Sequence, residues 1–285
     1  MSYRYMRYPG GKYKAVTLSY DDCTQFNCKF AERLNKTTLK CTFNLNSNGF
    51  ADGAFKLSKE QVRKLIIDFE HEIAVHGQKH LASGIVSPLE GIRDVLLCRE
   101  QLEEIFEIIV RGMAYPDSGI RRFHNGHTYE TVRQYLQSLG IVYARTLGAD
   151  NDEFMLPSDF YAWIPTAHHG NPALFDYIQR FLNIDISTLN HTEHYPRLFY
   201  LWGHAYEFEF HQSWELLDKI CDTLGGHDDI WYATNMQIFE YVKGYESLVW
   251  NAKYDRVYNP NLFPVWFAVN LEVYCVNPGE TLKIS

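Results

Sequence analysis

Two adjacent carboxylates, Asp21 and Asp22, close the run Ala15-Val16-Thr17-Leu18-Ser19-Tyr20, and His76 and His80 follow a second run, Glu72-Ile73-Ala74-Val75. Neutral imidazoles with one carboxylate suit zinc or another first-row divalent ion. Asp22, His76 and His80 would give three ligands and leave open positions for water, the pattern of a catalytic site. The spare carboxylate, Asp21, is then placed to act as general base toward water on the metal. A turn of chain brings both imidazoles of a His-x-x-x-His pair to the same side, and Gly77 lets the chain bend sharply between them. The chemistry this pattern points to is metal-assisted hydrolysis.

Other residues end apolar runs in the same way. Arg111-Gly112-Met113-Ala114-Tyr115-Pro116 offers an orienting cation and backbone N–H groups that can face a developing oxyanion. His204 closes Leu201-Trp202-Gly203 and is placed as a general acid. His168 and His169 follow Pro165-Thr166, at the rim of the same site. Cys23 stands beside the acidic pair as a rival nucleophile, with nothing nearby in sequence to activate it. There is no Gly-x-Ser-x-Gly elbow and no phosphate-cradling loop.

The elements that must position these residues alternate. Strand patterns fall near 14–20, 40–46, 72–76, 108–115, 140–146, 161–166 and 198–205, with an eighth at 230–234. Helical patterns lie between them. Ser58 to Gln61 and Ser87 to Glu90 read as capping boxes, the first opening a helix to about residue 69. Seven or eight β-α units imply a parallel sheet. Asp21 and Asp22, Asn44 and Asn46, His76, Arg111 with Tyr115, and His204 all fall at or just past the C-terminal ends of predicted strands, which favours a barrel over an open sheet. The expected fold is an α/β distorted or incomplete (β/α) barrel of about seven parallel strands. From residue 246 onward, apolar runs separated by turn signals predict appended β-strands. The chain thus divides into a barrel over 1–245 and a C-terminal β extension over 246–285.

The 285 residues, 46% of them hydrophobic, suffice for a sizeable core. Aromatic residues make up 15%, which serves a core or lines a sugar-binding cleft. A formal charge of -8 with no basic block gives a nucleic-acid role no electrostatic support. No apolar run approaches the ~20 residues that span a bilayer, and the N-terminus lacks a secretory apolar stretch. Six cysteines without a Cys-x-x-Cys pair read as reduced thiols. A cytoplasmic protein with no membrane partner is the expectation.

In this order the pieces resemble the polysaccharide deacetylase family, also called the NodB-homology domain or carbohydrate esterase family four. The likeness runs over about residues 12–245. The family's Thr-Phe-Asp-Asp-Gly is matched by Ser19 to Cys23, its His-(Ser/Thr)-x-x-His by His76 to His80, its arginine and Pro-Tyr turn by Arg111 to Pro116, and its last histidine motif by Leu201 to His204. Tyr143-Ala144-Arg145-Thr146 and Trp231-Tyr232-Ala233-Thr234 suggest the gellan-lyase-like subgroup.

The resemblance implies a divalent metal, usually zinc, on Asp22, His76 and His80. It implies Asp21 as base on metal-bound water, Arg111 holding Asp21, the Tyr115 N–H at the oxyanion, and His204 as general acid. The activity implied is hydrolytic removal of acetyl groups from an N- or O-acetylated oligo- or polysaccharide. Cys23 stands where the family has glycine, and Gly77 where it has Ser or Thr. For the acidic residue that tunes the acid histidine, Asp150, Asp152 and Asp159 with Trp163 are all open. A glycan-binding relative without catalysis, or a cyclic amide or imide hydrolase on the same fold, are the competing readings.

Overall fold

The computed structural model describes residues 3–50 and 57–284. Its centre is a parallel sheet of β2 (Lys14–Asp21), β3 (Cys41–Leu45), β4 (Glu72–Val75), β5 (Gly112–Ala114), β6 (Tyr143–Arg145), β7 (Ala167–His168), β8 (Arg197–His204) and β9 (Ile230–Tyr232). The order is β6-β5-β4-β3-β2-β8-β7, with β9 on the first half of β2. The sheet curls into an incomplete barrel, as the alternation of elements predicts.

All eight residues of β2 are buried. A strand packed on both faces reads as a continuous apolar run, and its Thr17 and Ser19 hydroxyls are satisfied from neighbours. Thr17 donates to Asn235 Oδ1 at 2.9 Å, and Asn44 donates to Ser19 Oγ at 2.8 Å. The connecting helices are α1 (Phe26–Leu34), α2 (Lys59–Val62), α3 (Pro88–Phe106), α4 (Tyr129–Ser138), α5 (Leu174–Leu182), α6 (Ala205–Phe210), α7 (Trp214–Leu224) and α8 (Asn235–Glu246). Both predicted capping boxes are present. The first opens a helix whose second half, Arg63–Ile67, widens into a π-helical turn.

One strand lies later than its pattern suggests. Residues 160–162 form a single 3₁₀ turn, and the strand proper is Ala167–His168. Between them the chain crosses the barrel's open seam. Trp163 bonds to Ala144 and Thr146 on one side, and Thr166 donates to the Tyr200 carbonyl on the other.

The C-terminal tail forms β10 (Val249–Trp250), β11 (Arg256–Tyr258), β12 (Val265–Val269), β13 (Glu272–Val276) and β14 (Thr281–Lys283). These make two three-stranded antiparallel sheets around Leu248, Val257, Val265, Phe267, Val276 and Ile284. One sheet takes its outer strand from the start of the chain: β1 (Arg4–Arg7) pairs β12, with Arg4 opposite Val269. The first strand is thus shared between the two parts of the chain: it pairs in the sheet of the extension, while Met6 and Tyr8 pack with barrel residues such as Ala15, Tyr143 and Tyr200. No helix among the described residues is long and apolar enough to cross a membrane.

Candidate active site

Parallel pairing fixes which residues meet at the C-terminal edge. Asp21 lies opposite both Asn44 and His204, and Ala114 opposite Arg145. His76 follows β4 directly, and its N–H bonds the Leu45 carbonyl. The turn after it is shaped by buried Asp94, which accepts from the N–H groups of Lys79 (2.7 Å) and Leu81 (3.3 Å). Gly77 has φ +75°, and a Cβ there would sit 2.2 Å from Asp94 Oδ2. Glycine at position 77 thus makes room for the carboxylate that holds this loop. Asp22 and His80 also have positive φ, 72° and 58°. Such backbone is sparsely populated by non-glycine residues and gathers at functional sites.

Asp22, His76 and His80 each aim one ligand atom at a common point. Asp22 Oδ1 is 3.8 Å from His76 Nε2 and 3.7 Å from His80 Nε2, too long for hydrogen bonds. Ligands about 2.0–2.2 Å from one ion stand roughly 3–3.5 Å apart, so a small inward movement suffices. The tautomer of His76 agrees. Its Nδ1 lies 2.9 Å from the Ala114 carbonyl, which can only accept, so Nδ1 carries the proton and Nε2 keeps its lone pair. Burial lowers the pKa of His76 against the opposing pull of Asp21 and Asp22, which favours the neutral, ligating form. The donor set fits a divalent metal ion.

Asp21 is 3% exposed and bonded from two sides: Asn44 Nδ2 donates at 2.9 Å, and Arg145 Nη2 donates to the other oxygen. Burial pushes its pKa up, but Arg145, His76 and His204 outweigh that and hold it below the usual carboxylate range. The cation that holds Asp21 is therefore Arg145 and not Arg111. Arg111 precedes β5, at the opposite edge of the sheet, where it is half-exposed 4.0 Å from Glu240. Arg145 ends β6, fully buried, with its guanidinium 4.5 Å over the Trp202 ring. The oxyanion role expected of Tyr115 is also corrected. Its N–H already donates to the Arg145 carbonyl at 3.0 Å, and its hydroxyl donates to Tyr161.

His204 ends β8 beside Asp21, and its ring faces a cluster that sequence reading only touched. Glu207 Oε2 is 3.3 Å from His204 Nδ1, 3.0 Å from His168 Nε2 and 3.2 Å from His169 Nε2. The same Glu207 oxygen also accepts from the His204 backbone N–H at 3.2 Å. Burial pulls the His204 pKa down, but Glu207, Asp21 and Asp22 outweigh it and raise it. His169, deeply buried and beside His168, is pushed down to about 3 and stays neutral. Gly203 is required here, since a Cβ would meet His169 Nδ1 at 1.9 Å.

His168, His204 and Glu207 also have metal-ligand spacing, but the tautomer opposes it. The Gly170 N–H donates to His168 Nδ1 at 3.0 Å, so neutral His168 carries its proton on Nε2, facing Glu207. The cluster is built to hold a carboxylate. The three aspartates left open are engaged elsewhere: Asp150 with Asn171 and Tyr177, Asp152 with Arg180, Asp159 with Tyr129. Glu207 three residues after His204 is a capping-box pattern, and that was its signal in the sequence. Cys23 does not compete. It is buried against Gly49, and burial pushes its thiol up to about 12.

Residues 10–144 match the family model for polysaccharide deacetylase. The fold of the deacetylase match recurs in solved structures. A putative polysaccharide deacetylase from Mycobacterium smegmatis superposes with a TM-score of 0.54 at 17% identity, over 86% of this chain and 96% of that one. A family 4 acetyl xylan esterase from Clostridium thermocellum, in complex with a cobalt ion, gives 0.50 at 18% identity, over 80% and 91%. A 4-alpha-glucanotransferase from Thermococcus litoralis gives 0.54 at 11% identity, over 80% of this chain and 40% of that one. At these identities the likeness is one of fold, and a barrel shared with a glucanotransferase shows that fold alone does not choose the reaction. No curated relative matches the sequence.

Proposed function

We propose that the chain is a metal-dependent hydrolase that removes acetyl groups from an N- or O-acetylated carbohydrate. The observation that carries this reading is the convergence of Asp22, His76 and His80 on one point, with Asp21 held by Arg145 beside them and His204 opposite in register. A divalent ion, with zinc the best fit to two imidazoles and one carboxylate, would polarise the acetyl carbonyl and lower the pKa of water. Asp21, ionised and fixed by Arg145 and Asn44, takes the proton from the attacking water. His204, its charged form favoured by Glu207, gives a proton to the departing amine or alcohol. Within the family, the Tyr143 to Thr146 and Trp231 to Thr234 stretches suggest the gellan-lyase-like subgroup.

The test is metal content by mass spectrometry after brief zinc exposure and desalting, followed by acetate release from acetylated oligosaccharides. About one equivalent in wild type, lost in His76→Ala, with acetate release lost in Asp21→Asn, is the expected result. A well-folded wild type that retains no metal would sink the hydrolase mechanism and favour a glycan-binding relative. Metal binding with turnover of cyclic imides alone would move the reading to that reaction.

A further inference from the structure

On the lip formed by α1 and α6, a half-buried Phe26 packed on the core continues outward into rings that the core does not cover. Phe210 is 64% exposed. Its ring centre lies 5.4 Å from Tyr206 and 6.0 Å from Phe26, and Tyr206 lies 5.1 Å from His204. Tyr206 and Phe210 are four apart on α6 and share a face. Phe26 opens α1, and because β2 and β8 are neighbours, the helices that follow them lie side by side. Tyr206 is close enough to Asp22 and Asp21 for their charges to act on its phenol.

The surroundings of this row decide what it takes. Next to it is a shallow groove of about 420 Å³ lined by Lys29, Arg33, Glu209, Trp214 and Asp218. Lys29 pairs with Glu209 at 2.9 Å and Arg33 with Asp218 at 3.1 Å. An acyl chain would strip water from these ion pairs and return no hydrogen bonds. A sugar ring offers an apolar face to the aromatics and hydroxyls to the charged side chains. Exposed apolar surface rimmed by polar groups is the usual mark of a ligand groove.

We propose that Tyr206, Phe210 and Phe26 form a stacking platform for the rings of a carbohydrate chain, leading from the metal triad to the Lys29–Trp214 groove. The proposal rests on the deacetylase reading for which ring reacts, but the binding itself can be tested without turnover.

The experiment is isothermal calorimetry on the full chain in chelator-containing buffer, so that no acetate is released. The probes are acetylated tetrasaccharides of the chito, xylo and cello series and their monosaccharides. At least one tetrasaccharide should bind about tenfold or more tightly than its monosaccharide. Phe210→Ala should weaken it about tenfold, Phe210→Trp should keep it, and Leu262→Ala, 96% exposed on another face, should leave it unchanged. Phe210 is too exposed for its loss to affect folding much. Equal binding of tetramer and monomer, no binding of any series, or a Phe210→Ala protein that binds like wild type would overturn the platform. So would octyl glucoside binding as well as the tetramer and losing affinity in Phe210→Ala, which would assign the row to acyl chains. Phe210-dependent binding in a chain that releases no acetate would uphold the platform and remove the deacetylase reading. Acetate release without any Phe210 effect would do the reverse.

Discussion

The two arginines that could serve Asp21 separate cleanly by energy. Arg145 and Asp21 are 1% and 3% exposed, and removing one member leaves the other charge buried. Losing half of such a pair costs about 3–5 kcal/mol. Asn44 would be the remaining donor to Asp21. For a chain of this size 1 kcal/mol moves the melting temperature by roughly 2–4 °C, so Arg145→Met should lower it by on the order of 10 °C. Arg111 and Glu240 are 42% and 54% exposed and 4.0 Å apart, and a pair of that kind contributes at most about 1 kcal/mol. Arg111→Met should therefore melt within about 3 °C of wild type. Acetate release should drop about 100-fold or more in Arg145→Met, since the base loses its anchor, and stay near wild type in Arg111→Met. The measurements are thermal unfolding by circular dichroism and initial rates of acetate release on both variants. Wild-type melting in Arg145→Met, or a loss of turnover confined to Arg111→Met, would refute the assignment.

Three more expectations follow from buried groups. Glu207→Gln removes a group that raises the His204 pKa, so the limb of the rate profile that falls with rising pH should shift to lower pH while metal content stays constant; an unmoved limb would remove Glu207 from the mechanism. Glu72 is pushed by burial from its ordinary range to about 7, despite donors from Tyr143, Thr42 and the Met236 N–H. Because the folded state holds this proton more tightly than the unfolded one, its stability contribution is full below about pH 4.5 and is lost as pH rises through 7. That amounts to about 3 kcal/mol. Glu72→Gln, whose amide can accept from Met236 and donate to Tyr143, should flatten the stability curve between pH 5 and 8; an unchanged slope in urea unfolding counts against it. Gly77→Ser places a Cβ against Asp94 at φ +75°, and should cost about 2 kcal/mol or more and reduce zinc retention on desalting.

The grouping of Asp22, His76 and His80 was legible because its parts are local. A carboxylate or imidazole just past an apolar run marks a strand's C-terminal end, and parallel pairing gathers such ends. Arg111 misled for the same reason in reverse. The predicted strand 108–115 begins earlier than the real Gly112–Ala114, so a residue at the strand's start was read as belonging to its end. Arg145 needed tertiary information, since its partner lies 124 residues away on a strand that β6 does not touch. Tyr115 was placed at the correct edge, but no sequence pattern reports that a strand N–H is already paired. Glu207 was the legible residue left unread, as a capping residue whose side chain also serves the histidine it follows.

The pairing of Arg4–Arg7 with Val265–Val269 has a consequence for how the molecule is made. During synthesis β1 must wait for β12, about 260 residues later, on the order of tens of seconds at ordinary synthesis rates. Meanwhile Met6 and Tyr8, buried in the finished protein beside Trp266, lack part of their cover. The barrel can close before then, because each of its pairings is complete once β9 has emerged. A nascent chain arrested before β12 should hold an assembled triad and a loose first strand, and be clipped near its start by added protease. Emergence of β12 and β13 would then act as the clasp that covers β1.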